Sequence, residues 1–562
     1  MERLRLQKIH VQVLLMLSIF AVPFLALEGH RYLFPGQHLG NYSSPITSTI
    51  ASTTSESSVQ TAPSRSTVNT LFPPFTNASP SPTKKATAAA VDAQITSPIT
   101  PPPIPCAGAS FTPQGGAPAK SIPVLLYHGE SGAGNTPISI FIDQMCTLKN
   151  DGWHTITIEQ FVDFMKGRIE LPEKSFLLTF DDGRRDTYYS FDPVLAQIGY
   201  NAVMYVITGL SMPDSGNPLS FYLNRDELQK MAASGRWKLE SHGTDDHVLY
   251  DITVPGEPGT RKGHFLSNKF YLTDQNRLES DEEFAARIQK DLSGAKKTLE
   301  SVFGKPVSTF AYPYSDFGQN TLNFSGAQAI VSRIVPTLYS YAFYQNWPGE
   351  GDSYNYPNPN GFMAKRIEPG VDWSGKKLLE YLTIGHVRDL PYHAPPYGSE
   401  WAGSWGTITP SGAVLTLDAN GEATGAAAFL NGSHLWKNYT YQATIHWKGG
   451  SDITLIGRRA AKDDFVACVF GKNRILLEIH RASGQTPIER SGYTFSGDPA
   501  NVELAMTARG NQIECGINGT TVVSGLISNP EFQQGGIGLQ VWDQGKGAAH
   551  IEVKDVSVEP LN

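Results

Sequence analysis

Between about residues 120 and 390 the chain alternates short, apolar, β-prone runs with helical segments, and this alternation limits the folds open to it. SIPVLLYH, FLLTF, AVMYVIT, WKLES and VSTFAYP read as strands. Between them, FIDQMCTLKNDGW carries Phe141, Ile142, Met145 and Leu148 at helical spacing, and DPVLAQIG reads as a short helix stopped by Gly199. NRDELQKMAASG is a helix with Asn224 placed to cap it, and SDEEFAARIQKDLSGAKKTLESVFG puts Phe284, Ile288, Leu292, Ala295, Leu299 and Val302 on one stripe. Strands joined through helices run parallel, and a parallel sheet needs both faces covered. The region is therefore α/β, an open sheet or a (β/α) barrel, and in either case a site forms at the carboxyl ends of the strands.

After residue 403 the texture changes. GAVLTLD, YTYQATIHW, DITLIGRR, DFVACVF, ILLEIHR, VELAMTAR and GGIGLQVW are short alternating runs broken by Gly, Asn and Asp, the pattern of an all-β sandwich or jelly roll. At the other end, Arg3, Arg5 and Lys8 precede an apolar run from Val11 to Leu27, which marks residues 1–30 as a signal anchor or a cleaved signal peptide. Residues 31–118 are rich in Ser, Thr and Pro, cannot bury a core, and read as a spacer. The expected order is thus leader (1–30), spacer (31–118), α/β domain (119–392) and β-sandwich (403–562), in a protein that is secreted or tethered to a membrane at the cell surface. A net charge of −8 gives no basic surplus for nucleic acid. Nothing in the chain signals an obligate protein partner. Four cysteines lack the short spacing of a zinc knuckle. Cys106–Cys146 and Cys468–Cys515 are the pairs that stay within one domain, with free buried cysteines as the alternative.

Four stretches of the α/β region deliver polar residues to strand ends: LLYH (His128), LLTFDDG (Asp181, Asp182), ESHGTDDH (His242, His247) and FAYPY (Tyr314). Each alone is an ordinary turn or a satisfied histidine; together, in a fold whose strand ends converge, they describe a site. Two imidazoles and one carboxylate form a three-ligand set for a catalytic divalent ion, which leaves a position for water. Such an ion lowers the pKa of water from 15.7 toward about 7, and a second carboxylate can take the proton. The adjacent aspartates therefore need not be equivalent, although composition and spacing do not say which one binds.

The stretch from PVLLYHGE through FIDQMCTLKNDGW to LPEKSFLLTFDDGRRDTYYSFDPVLAQIGYNAVMYVI resembles the polysaccharide deacetylase family, carbohydrate esterase family 4. The likeness covers about residues 121–385. A strand ending in Tyr-His and a five-residue step from His242 to His247 make it most similar to the poly-N-acetylglucosamine deacetylase branch of exported bacterial enzymes. The resemblance implies an irregular (β/α) barrel of about seven strands and a reaction that hydrolyses N-acetyl groups of a polysaccharide. It implies that Asp181 is the general base, that Asp182, His242 and His247 bind the ion (Zn2+, with Co2+ or Ni2+ as substitutes), and that the Tyr314 N–H helps form an oxyanion hole in a turn shaped by Pro313. In a circularly permuted domain His128 would be the general acid. One position departs from the pattern: the Arg that orients the base, two residues before the Pro, is here Ala311, and Arg366 in AKRIEPG is the candidate substitute. A non-catalytic glycan-binding or adhesion protein and an O-acetyl esterase are the competing readings. The sandwich resembles concanavalin-like or laminin-G-like modules and is expected to bind carbohydrate.

Overall fold

A computed structural model describes residues 104–106, 108 and 117–561, apart from 131–134, 213–220, 347–352, 422, 462 and 482–483. The apolar leader and nearly all of the spacer lie outside the described residues. No helix among the described residues is long and apolar enough to cross a membrane.

Seven parallel strands close into a barrel: β1 (Val124–Tyr127), β2 (Ser175–Phe180), β3 (Ala202–Val206), β4 (Trp237–Ser241), β5 (Thr309–Ala311), β6 (Tyr341–Asn346) and β7 (Met363–Ile367). Each strand pairs with the next, and β7 returns to β1 through Leu125↔Ile367. Side chains alternate with period two. One set, including Leu125, Leu178, Met204, Phe310, Ala342 and Ile367, packs into the core shared with the surrounding helices. The other set, Val124, Leu177, Val203, Tyr205, Ala311, Phe343 and Ala364, fills the barrel interior. A helix at Ile158–Met165, started by a Thr157–Gln160 capping box, pushes Phe161 against Tyr341 and Phe343 and plugs the amino-terminal end. The other end, where the strands finish, is where the polar side chains gather.

The helices read from the sequence are present, one of them longer than expected. Asn224 caps Arg225–Ala233 in a capping box with Glu227, and Ser280 does the same with Glu283 for Asp281–Phe303, whose apolar stripe is buried from Phe284 to Leu299. The helix expected at DPVLAQIG is longer, Arg185–Ile198, and carries Pro193 in its interior; Gly199 ends it at φ 71° as expected. Pro193 is therefore not a helix start. The chain enters the helix directly from the Asp182–Gly183 turn, where buried Arg185 is fixed by a bidentate pair with Glu227.

The carboxyl-terminal region is two stacked antiparallel sheets, one of eight strands and one of seven, with a shared apolar core. Its first strand, Tyr392–Ala394, lies ahead of residue 403, where the sandwich was expected to begin, and pairs with the last, His550–Pro560. Disulfides join Cys106 to Cys146 and Cys468 to Cys515, each within one of these two bodies.

Candidate active site

The alternation that builds the barrel also aims the site. Leu177, Thr179 and Asp181 share a parity along β2, and Ala364, Arg366 and Glu368 share one along β7. Leu177 and Ala364 belong to the interior set. Asp181 thus points into the mouth of the barrel, 2% exposed. The next residue of a regular strand would point outward. Asp182 instead takes φ 76° and is followed by Gly183 at φ 69°, so the chain turns left-handed and both carboxylates border one cavity.

Asp182 is one corner of a cluster in which donor atoms of Asp182, His242 and His247 lie within 4.8 Å of one another. Asp182 Oδ1 is 3.2 Å from His247 Nε2 and 3.6 Å from His242 Nε2. That oxygen is buried without a hydrogen-bond partner, a costly state unless a cation takes it. His242 donates Nδ1–H to the Ala311 carbonyl at 2.7 Å, which fixes the tautomer and leaves Nε2 as a lone-pair donor toward the cavity. Burial holds the His242 imidazole down at about 4, against the pull of Asp181, so it is neutral and ready to ligate near pH 7. The donor set and the orphaned oxygen fit a single divalent ion.

The ligand loop is pinned from outside. Asp291, from helix Asp281–Phe303, accepts the Thr244 N–H (3.1 Å) and the Asp245 N–H (2.8 Å). Gly243, at φ 76°, has no room for a Cβ, which would stand 1.8 Å from Asp246 Oδ1. Tyr314 packs its ring on His247 (centroids 4.6 Å) and donates Oη–H to the His247 carbonyl at 2.9 Å. Pro313 is buried at the head of that turn.

Asp181 stands apart from the cluster in its bonding. Arg366, 1% exposed, donates to both of its oxygens at 2.6 Å. Burial alone would raise the Asp181 pKa, but the Arg366 charge, His242, the Arg366 hydrogen bonds and His128 outweigh it and hold the carboxyl well below the usual range. The position left by Ala311 is thus filled, from β7, by the substitute guanidinium named from the sequence.

His128, at the end of β1, places Nδ1 2.8 Å from Glu368 Oε1. Burial works against its charged form, yet the Glu368 hydrogen bond and the charges of Asp182, Glu368 and Asp181 hold it up at about 9. Gln345 Nε2 donates to the other Glu368 oxygen. Glu368 and Gln345 were not found in the sequence reading. The signal for Glu368 was its place two residues after Arg366, on the same face of the same strand. Gln345 carried no comparable signal.

Residues 168–329 match the family model for polysaccharide deacetylase. Over those residues the barrel is similar to a polysaccharide deacetylase domain. The domain is similar to YxkH of Bacillus subtilis (26% identical over 208 residues, 36% of this chain and 60% of the relative). It is also similar to the poly-beta-1,6-N-acetyl-D-glucosamine N-deacetylase of Staphylococcus aureus (strain MRSA252), at 26% over 176 residues, 31% of this chain and 52% of the relative. The chain therefore spans between half and two thirds of the length of these relatives. Among solved structures, a de-N-acetylase from Aggregatibacter actinomycetemcomitans is 19% identical, with a TM-score of 0.38 over 46% of this chain and 99% of that one. IcaB from Ammonifex degensii is 20% identical, with a TM-score of 0.35 over 47% and 97%. His128, the Asp181–Asp182 pair and the His242–His247 pair stand at three strand ends, β1, β2 and β4, of one closed barrel.

Proposed function

We propose that this chain is a metal-dependent polysaccharide N-deacetylase. Its substrate would be an extracellular or cell-wall N-acetylhexosamine polymer of the poly-N-acetylglucosamine, chitin or peptidoglycan type. One observation carries the reading: a three-donor cluster shares a cavity with a carboxylate held anionic and an imidazole held protonated, each fixed by its own buried or half-buried partner. The kinship with a poly-N-acetylglucosamine deacetylase supports the N-acetyl choice.

Held by Asp182, His242 and His247, a divalent ion (zinc by its donor set, cobalt or nickel in its place) would polarise the acetyl carbonyl and acidify water. Asp181 is anionic at any working pH and accepts the proton of the attacking water. Arg366 keeps that carboxylate aimed by gripping both oxygens. The Tyr314 N–H donates to the oxyanion of the tetrahedral intermediate. His128, with Nδ1–H on Glu368, delivers the Nε2 proton to the departing amine. Acetate and a free amino sugar are the products.

We assign the sandwich a glycan-holding role. Along one row of the seven-stranded sheet, register places Trp405 beside Ala427, Gln540 and Thr454, and Trp542 stands opposite Gly425 on the next row. These half-buried aromatic rings and amide groups offer stacking and hydrogen bonding to sugar rings. The amino-terminal segment would export the protein and hold it at the cell surface.

A substrate panel tests the activity. Acetate release from N-acetylglucosamine oligomers, lost in Asp181→Asn, supports the reading; release only from O-acetylated xylan would make the chain an ester hydrolase. No release from any acetylated glycan by metal-loaded protein would leave a binding or adhesion protein.

A further inference from the structure

The turn that presents the Tyr314 N–H is unusual. Tyr314 (φ 55°) and Ser315 (φ 54°) are two successive non-glycine residues in the left-handed region, a backbone that L residues keep only when something holds it. Besides its own backbone bonds, three bonds that involve side chains hold this one. Tyr314 Oη–H reaches the His247 carbonyl at 2.9 Å, Gln319 Nε2 donates to the Ser315 carbonyl at 2.7 Å, and the Gln345 backbone N–H donates to Ser315 Oγ at 2.7 Å.

The third bond connects the turn to the other side of the site. Gln345, next to last in β6, stands opposite Arg366 in the parallel register. Its backbone grips the turn, while its side chain donates to Glu368 Oε2. Glu368 Oε1 in turn takes the His128 Nδ1–H at 2.8 Å. A continuous path thus runs from Ser315 through Gln345 and Glu368 to His128. A carboxylate with a donor on each oxygen has no freedom to rotate away from the imidazole.

We propose that Gln345 is a positioning residue that couples the oxyanion turn to the general acid, so that the two ends of the reaction are set together. This rests on the deacetylase reading above. Without the Gln345 amide, Glu368 keeps His128 as its donor but loses the bond that fixes the rotation of its carboxylate. The hydrogen bond and the carboxylate that favour the charged imidazole are then held less well in line, beside the facing charges of Asp181 and Asp182. Glu130 follows two residues behind on the same chain and is occupied by the Ser190 hydroxyl. Thr187 holds the His128 backbone carbonyl and does not compete for the ring.

The experiment uses the full chain loaded with zinc. The His128 ring is followed by 15N-imidazole NMR across pH, and acetate release from an N-acetylglucosamine oligomer is followed in parallel. Gln345→Met keeps length and removes the donor. It should move the His128 titration down by about one unit and lower kcat roughly 10-fold with little change in KM, in line with partial loss of acid catalysis. Ser315→Ala and Glu368→Gln, at the two ends of the path, should combine non-additively in kcat/KM by about 5-fold, as groups in one hydrogen-bond network do. In a Gln345→Met background that coupling should vanish. An unchanged His128 titration in Gln345→Met, or an additive cycle in active protein, would overturn the coupling. Should wild-type protein release no acetate, the deacetylase reading fails, while the NMR titration still decides whether Gln345 sets His128.

Discussion

Replacing Arg366 with Met removes the guanidinium that holds Asp181 and leaves a similar apolar stem. In the native chain the two 2.6 Å bonds join groups that are 1% and 2% exposed, so no water can take the place of the lost partner. Breaking a buried pair from one side costs about 3–5 kcal/mol, because the remaining charge keeps its desolvation penalty. The charge then yields. With Arg366 gone, burial becomes the ruling influence on Asp181 and raises its pKa, and each unit of rise is worth about 1.4 kcal/mol. The pH dependence should reverse sign. In the native chain the Asp181 pKa is depressed, so its contribution to stability is full above the unfolded value of about 3.9 and is lost as pH falls below it. In Arg366→Met the folded pKa lies above the unfolded one, so stability falls as pH rises from about 4 toward the new value. Urea unfolding of metal-depleted protein between pH 3 and 8 reads this directly. At pH 7 the base is protonated in a large share of molecules, and acetate release should drop by about 10²–10⁴-fold. Asp181→Asn combined with Arg366→Met removes the stranded carboxylate and should recover most of the stability while staying inactive. A single Arg366→Met variant that loses under about 1 kcal/mol and keeps its rate would refute the assignment of Arg366 as the partner of the base.

Glu368→Gln removes the charge that steadies His128, now held up at about 9, so the alkaline limb of the rate profile should move to lower pH; an unmoved limb assigns that limb to another group. Tyr314→Phe keeps the ring on His247 and loses only the 2.9 Å bond to its carbonyl, which should weaken zinc binding by about 5-fold in a competition titration, the scale of one hydrogen bond. Replacing Cys468 and Cys515 by Ala opens a cross-link between residues 47 apart and should cost the sandwich about 4 kcal/mol in chemical unfolding, by loop-closure entropy, with no effect on acetate release from a short oligomer. Trp405→Ala with Trp542→Ala should abolish retention on insoluble acetylated polymer and leave the rate on soluble oligomers unchanged.

The strands that sequence reading found are those whose inward residues are apolar until the last one or two. SIPVLLYH and FLLTFDD announce themselves because hydrophobic alternation runs into the polar end, and the cap at Asn224 was equally plain. The two that went unread, Tyr341–Asn346 and Met363–Ile367, carry their chemistry further down: Gln345, Lys365 and Arg366 interrupt the apolar run and make both look like loop. The same cause hid the site partners. Asp181, His242 and His128 stand next to glycines or strand-end dipeptides with a familiar look, whereas Glu368 and Gln345 are ordinary residues whose role exists only once β6 and β7 are laid beside β1. The helix at Gly375–Ile384 gives a smaller example. Asp372 and Ser374 both precede it as possible caps; Ser374 accepts the Lys377 N–H, and Trp373 packs on Tyr381. A polar residue two positions nearer the helix simply has the better geometry.

The division of labour between two adjacent carboxylates is the core of this account, and metal stoichiometry measured together with turnover tests it most directly. The full chain, Asp181→Asn and Asp182→Asn are each equilibrated with zinc, passed through a desalting column and assayed for bound zinc by mass spectrometry and for acetate release. Native protein should hold one zinc and turn over. Asp181→Asn should hold one zinc and be inactive, and Asp182→Asn should lose both. Zinc retained by Asp182→Asn and lost from Asp181→Asn would reverse the two roles and contradict the account.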